Sequence, residues 1–217
     1  GSLKKSTKRQ TQTMGKLTLL HHPSCPYATR VRLTLLYKGI DFDERVESLK
    51  NKSEEFLKLN PLGKVPVLIL EDGTVIYESI PVMELLDKLP QYDHTPKLFP
   101  TDPVEKAKTA MKIARMESLS NGLCVYFCKG PEQVLKNFSK NLDIFQEILG
   151  DQPYFGGEAP NVVDFALIPC LNRYSSISDF DEPIANNPVV ADYIKRVHKI
   201  PAVQTILAEK AAESSSQ

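Results

Sequence analysis

The sequence predicts an α/β half followed by an all-helical half. Three observations carry this. Strand-like and helix-like runs alternate over residues 16–89, an Asp72-Gly73 turn joins two apolar runs there, and no convincing strand follows Pro103. The first half reads β-α-β-α-β-β-α. "KLTLLHH" is a short apolar strand. "CPYATRVRLTLLYKG" repeats apolar residues at Ala28, Val31 and Leu35, a helical spacing, and Gly39 is a natural stop. "IDFDERVES" alternates like an exposed strand, and "KSEEFLKL" is a short helix ended by Asn60-Pro61. "VPVLIL" and "TVIY" flank Asp72-Gly73 as a hairpin. "ESIPVMELLDKL" is a helix with proline in its first turn, where proline is tolerated.

Residues 90–103 carry prolines without any period and read as a linker. Beyond it, over 104–212, Val104, Ala107, Met111 and Ala114 step three and four, as do Val134, Phe138, Leu142, Phe145 and Leu149. Further helices fit Val162 to Tyr174, Val189 to His198 and Ala202 to Ala212. Residues 213–217 read as a loose tail. Residues 1–15 are polar and aperiodic and read as a disordered tail; Gly1-Ser2 resembles an expression remnant, with Met14 a native start.

Length and composition set limits. The chain has 217 residues, 41% apolar and 25% charged, enough for a real core. Lys plus Arg and Asp plus Glu both number 27, so no polyanion-binding surface is indicated and no nucleic-acid partner is expected. Lys4, Lys5, Lys8 and Arg9 form a basic start without aromatic residues, too sparse for a binding arm. No apolar run reaches membrane-spanning length, and no secretory segment is evident. Cys25, Cys124, Cys128 and Cys170 lack framework spacing, which favours reduced thiols and a cytoplasmic setting. No zinc spacing, Walker loop, Rossmann glycine pattern or HExxH is found, so no metal is expected.

The chemistry centres on Cys25. Pro26 suits a first helical position, so the thiol lies where free N–H groups and the helix dipole favour negative charge. A thiolate so placed can have a pKa of about 3.5–7.5, and Arg30 and Arg32 add positive potential. The bland alternative is a small buried cysteine. Ala28 stands where redox proteins often place a second cysteine, so a resolving thiol must come from outside, and glutathione is the obvious supplier. Complementary groups follow. Val65, extended before Pro66, can pair with a peptide backbone, and a cis bond would fit the tight turn. Ser79 can cap the next helix and hold a carboxylate, Glu78 can pair with an amine, and Lys52 can hold a second carboxylate. Each also has an ordinary reading, as cap, dipole partner and solvated charge. Cys124 and Cys128 share one helical face, as core or pocket-lining thiols. Met111, Arg115, Met116 and Leu119 are candidates for an acceptor pocket, against ordinary packing.

"SCPYATRVRLTLLYKGIDF", "LKNKSEEFLKLNPLGKVPVL" and "VIYESI" closely resemble the glutathione transferase superfamily, and the cysteine before proline is most similar to the omega class. The resemblance covers roughly Lys16 to Ala212. It implies a thioredoxin-like domain over 16–89, a helical domain, and a homodimer. It implies Cys25 as catalytic thiol, with Lys52, Val65, Glu78, Ser79, Leu49 and Arg30 binding glutathione, and Pro66 cis. "FGGEAPNVVDFALIP" resembles the family's helix-capping segment, with Asn161 and Asp164 as the cap. The implied activity is thioltransferase and dehydroascorbate reductase chemistry on a small electrophilic or disulfide acceptor. Tyr27 departs from the phenylalanine common in that class, and the chain has no tryptophan. Tau-class enzymes share the overall pattern but use serine at the catalytic position. Two alternatives remain: a redox-sensitive membrane-interacting protein like the chloride intracellular channels, and a non-catalytic ligand-binding member of the fold.

Overall fold

The computed structural model describes residues 16–215; the expectations for residues 1–15 lie outside them. Strand β1 (Leu17–His21) pairs in parallel with β2 (Phe42–Val46) and antiparallel with β3 (Val67–Ile69), which pairs antiparallel with β4 (Val75–Tyr77). The order is therefore β2-β1-β3-β4, a mixed sheet. The parallel β1–β2 pair requires a crossover, supplied by α1 (Pro26–Lys38). The Asp72-Gly73 hairpin forms as expected, with Gly73 at φ 85°.

Successive strand residues point to opposite faces, and both faces of β1 are covered. Leu17 and Leu19 join the main core with Val31 and Leu35 of α1 and Val82, Met83 and Leu86 of α3 (Ser79–Lys88). Leu20 faces the other way, into a small core with Val67 and Phe56 of α2 (Glu54–Leu59). Gly39 ends α1 in the left-handed region, at φ 64°, its N–H reaching the Leu35 and Leu36 carbonyls.

The helical half comprises α4 (Pro103–Arg115), α5 (Glu117–Lys129), α6 (Glu132–Leu149), α7 (Val162–Tyr174), α8 (Asp181–Ala185), α9 (Pro188–Val197) and α10 (Pro201–Ser215). Among the described residues it contains no strand. Helix α7 is apolar almost all round, which suits a central helix; α1, α4, α5 and α9 surround it. Its N-terminus is closed by a reciprocal cap: Asn161 Oδ1 accepts from the Val163 N–H at 2.8 Å, and Asp164 Oδ2 accepts from the Asn161 N–H at 2.8 Å. Asp164 also accepts from the Phe155 N–H at 3.1 Å and the Tyr193 hydroxyl at 2.7 Å.

The helix expected from the spacing of Val104 to Ala114 is present, and two other expectations need amendment. The α4 stripe of Val104, Ala107, Met111 and Ala114 faces solvent, with Val104 60% and Met111 63% exposed. The α6 stripe is buried as its spacing predicts. Helix α10 runs to Ser215, past the 212 at which the last helix was expected to end. The segment 90–103 has little regular structure, yet it is tied down. Lys38, at the end of α1, pairs with Asp87 at 2.7 Å with both side chains buried, and its Nζ donates to Thr95 Oγ1 and the Pro96 carbonyl. Asp87 in turn accepts from the Leu98 and Phe99 N–H groups, each at 3.0 Å. Among the described residues, no helix is long and apolar enough to cross a membrane.

Candidate active site

A cleft of roughly 450 Å³ opens where α1, α3 and the loop before β3 face α5. Cys25 is the N-cap residue of α1, with extended backbone (φ −88°, ψ 113°), and Pro26 takes the first helical position. Its thiol makes no cap hydrogen bond; Sγ lies 3.8 Å from the Val65 carbonyl. The electrostatics differ from expectation. Burial pushes the Cys25 thiol above its ordinary value of 9.0. The N–H groups of Ala28 and Tyr27 and the charge of Arg30 pull it down without overcoming that cost, and Cys124 pushes it further up. The helix start favours the thiolate, but apolar neighbours such as Leu20, Ala28 and Val65 withdraw the sulfur from water.

Val65, Leu49, Lys52, Glu78 and Ser79 line the same cleft. The Val65–Pro66 peptide bond is cis, as the resemblance implies. Among the described residues, the Val65 N–H donates to nothing, so it is available to an incoming peptide carbonyl. Lys52 is exposed and forms no ion pair among the described residues. Its stem crosses Gly63, where a Cβ would stand 2.8 Å from Lys52 Cδ and 3.0 Å from Nζ. Gly63 has φ +60°, and that backbone conformation is what favours glycine there, since the exposed Lys52 stem can move aside. Glu78 departs from expectation: it, and not Ser79, occupies the N-cap of α3, with φ 73°. A non-glycine residue in that region is uncommon and costs about 1–3 kcal/mol, and such residues cluster at binding sites. Ser79 is the first helical residue, almost fully buried, and caps nothing.

Arg30 is the one expected ligand that the structure keeps out of the cleft. It is 2% exposed and lies behind Ser79. Its guanidinium donates to the Ala166 carbonyl at 2.8 Å, Ser120 Oγ at 2.6 Å and Ser79 Oγ at 3.3 Å, and its plane lies 4.5 Å from the Tyr27 ring centre. Arg30 thus fixes the site from within and joins the two halves. Met111, Arg115, Met116 and Leu119 do not line the cleft either. Met116 and Leu119 are core residues, and Met111 points to solvent.

The far wall is Glu117, Asn121 and Cys124 of α5. The Tyr27 hydroxyl lies 3.0 Å from Glu117 Oε1 and 2.7 Å from Asn121 Oδ1. Burial, then Glu117, raises the Tyr27 pKa, so the phenol stays protonated and donates. These contacts join residues 90 or more positions apart, and no local pattern could have found them. Asn60 had a usable signal, since its side chain can build a turn. Its Nδ2 donates to the Lys64 carbonyl at 2.8 Å and its Oδ1 accepts from the Leu62 N–H, shaping the loop that presents Lys64 and Val65.

Residues 24–89 match the family model "Glutathione S-transferase, N-terminal domain", and residues 117–196 match "Glutathione S-transferase, C-terminal domain". The chain is 34% identical over 196 residues to glutathione S-transferase omega-1 of Sus scrofa, covering 85% of this chain and 78% of the relative. It is 36% identical over 159 residues to the probable glutathione S-transferase parC of Nicotiana tabacum, covering 71% of each. Among solved structures, glutathione transferase Omega 3C from Trametes versicolor is similar with a TM-score of 0.76 at 25% identity, covering 91% of each chain.

Proposed function

The chain belongs to the glutathione S-transferase family, and on that premise we propose an omega-like, cysteine-type enzyme with glutathione-dependent thioltransferase and dehydroascorbate reductase activity. One observation supports this above the others: the Cys25 sulfur shares its cleft with groups that complement a doubly acidic tripeptide. The Val65 backbone pairs with the peptide's own backbone. Ser79 and the first N–H groups of α3 take one carboxylate, Glu78 takes the amine and Lys52 the other carboxylate. Leu49 covers the bound chain.

The cycle has two exchanges. The Cys25 thiolate attacks one sulfur of a glutathionylated acceptor; that S–S bond breaks, a Cys25–glutathione disulfide forms, and the acceptor leaves as thiolate. The thiolate of a second glutathione then attacks the glutathione sulfur of this mixed disulfide, releasing oxidised glutathione and restoring Cys25. With dehydroascorbate, two glutathiones are oxidised to the disulfide while the acceptor gains two electrons and two protons. A raised thiol pKa lowers the thiolate fraction but increases the intrinsic reactivity of the thiolate that is present.

The test is intact mass after incubation with oxidised glutathione, followed by peptide mapping. One glutathione on Cys25, and loss of thioltransferase turnover in a folded Cys25→Ala variant, are the expected results. Full turnover in that variant ends the proposal. The exposed α4 stripe of Val104, Ala107, Met111 and Ala114 supports a homodimer; light scattering at the mass of one chain would exclude it.

A further inference from the structure

Helix α5 carries a stripe that the proposed cycle leaves unused. Glu117, Asn121, Cys124 and Cys128 follow at steps of four, three and four, so they share one face. Two members fix where that face points, because Glu117 and Asn121 both meet the Tyr27 hydroxyl, two residues from Cys25. Cys124 comes next and lines the same cleft as Cys25. Cys128 lies one turn further along, its Sγ 4.0 Å from that of Cys124. All three sulfurs are free, and Cys124 and Cys128 are exposed. Residues four apart on a helix have Cα atoms about 6 Å apart, inside the range a disulfide spans. Their Cβ atoms, about 5–6 Å apart on a regular helix, lie beyond the roughly 3.5–4.5 Å a disulfide spans, so closing the bond requires the last turn of α5 to open; Cys128 stands one residue before its end at Lys129, with Gly130 following.

We propose that Cys124 and Cys128 are an in-chain resolving pair for the mixed disulfide on Cys25. This rests on the glutathione reading of the cleft, and it adds a second route to the resolution by external glutathione. The Cys124 thiolate attacks the Cys25 sulfur of the Cys25–glutathione disulfide. A Cys25–Cys124 disulfide forms and glutathione leaves as thiolate. The Cys128 thiolate then attacks Cys124, forming the Cys124–Cys128 disulfide and releasing the Cys25 thiolate. The pair has lost two electrons, the incoming disulfide has gained them, and two further glutathiones reduce the pair. Cys25 is thus freed while the oxidising equivalents wait on α5. The hydrogen bond with Cys128 raises the Cys124 thiol pKa, so this exchange accelerates as pH rises.

The experiment charges wild-type protein with one equivalent of oxidised glutathione and removes free glutathione by desalting. Samples are then quenched in acid at intervals, and free thiols are alkylated for intact mass and peptide mapping. In wild type the adduct on Cys25 should disappear, leaving a chain two hydrogens lighter with Cys124 joined to Cys128. The double variant Cys124→Ser/Cys128→Ser should keep its adduct over the same interval, and Cys128→Ser should stop at the Cys25–Cys124 disulfide. Cys25→Ala should not form the Cys124–Cys128 disulfide on this timescale. Adduct that persists in wild type, or leaves both proteins equally fast, overturns the relay while the Cys25 reading stands. Formation of the pair's disulfide at wild-type rate in Cys25→Ala also overturns it. If no protein acquires glutathione on Cys25, the cleft reading fails and the relay fails with it.

Discussion

Replacing Arg30 with methionine removes a buried charge that ties the first half to the second. The guanidinium has two short hydrogen bonds, to Ser120 Oγ at 2.6 Å and the Ala166 carbonyl at 2.8 Å, and a longer one to Ser79 at 3.3 Å. Hydrogen bonds to a charged group each contribute about 1.5–3 kcal/mol net. Two opposing effects reduce the total. Methionine abolishes the desolvation cost of the buried cation, and the Ser120 hydroxyl can turn toward Cys170, whose Sγ is 3.4 Å away. The remaining loss is about 3 kcal/mol, roughly a hundredfold in the folding equilibrium. Arg30→Lys should recover only part of it, because an ammonium lacks the planar fork that reaches separate acceptors. Urea unfolding, followed by circular dichroism and tyrosine fluorescence in this tryptophan-free chain, measures the change. Ser79 loses its inner partner at the same time, so KM for glutathione should rise more than kcat falls. A stability loss below about 1 kcal/mol would refute the assignment of Arg30 as a tie between the halves.

Three further outcomes follow from the same geometry. Asp164→Ala strips the acceptor from the Asn161 and Phe155 N–H groups and the Tyr193 hydroxyl, and should cost about 3–5 kcal/mol in urea unfolding; a loss near zero would mean that the cap is replaceable. Alkylation of Cys25 by iodoacetamide should still be rising at pH 9.0, since burial moves the thiol above that value and the thiolate fraction grows only as pH climbs through the shifted pKa. A rate that levels off below pH 8 would show that a bound or neighbouring group stabilises the thiolate. Gly63→Ala forces a side chain into the left-handed region beside Lys52, and should cost about 1–2 kcal/mol and weaken glutathione binding, read by calorimetry.

Much of this was legible wherever the signal was local. Pro26 and Gly39 bound α1 because one fixes φ and the other accepts a positive φ. Asp72-Gly73 set the hairpin, and the Cys25, Val65 and Lys52 neighbourhood followed from short motifs. The misses share one cause: they depend on which way a side chain points once distant elements meet. Arg30 lies in a helix whose buried face is chosen by α7, a partner 136 residues away at Ala166. Ser79 was expected to cap α3, but the chain enters that helix through an unusual backbone turn at Glu78. The raised Cys25 pKa depends on burial, which the dipole argument alone does not weigh. The α4 stripe shows that helical spacing identifies a face without saying what covers it.

The two buried cations of α1 bear on how interchangeable the halves are. Arg30 finds two of its acceptors on α5 and α7, and Lys38 finds two of its own in the segment 90–103. A chimaera that grafts another relative's helices onto residues 16–89 would inherit both charges without their receptors. Such a graft would have to carry the serine at 120, a helix carbonyl at 166 within reach of the guanidinium and the connecting strap as a set. The modularity suggested by two family models on one chain therefore stops at α1.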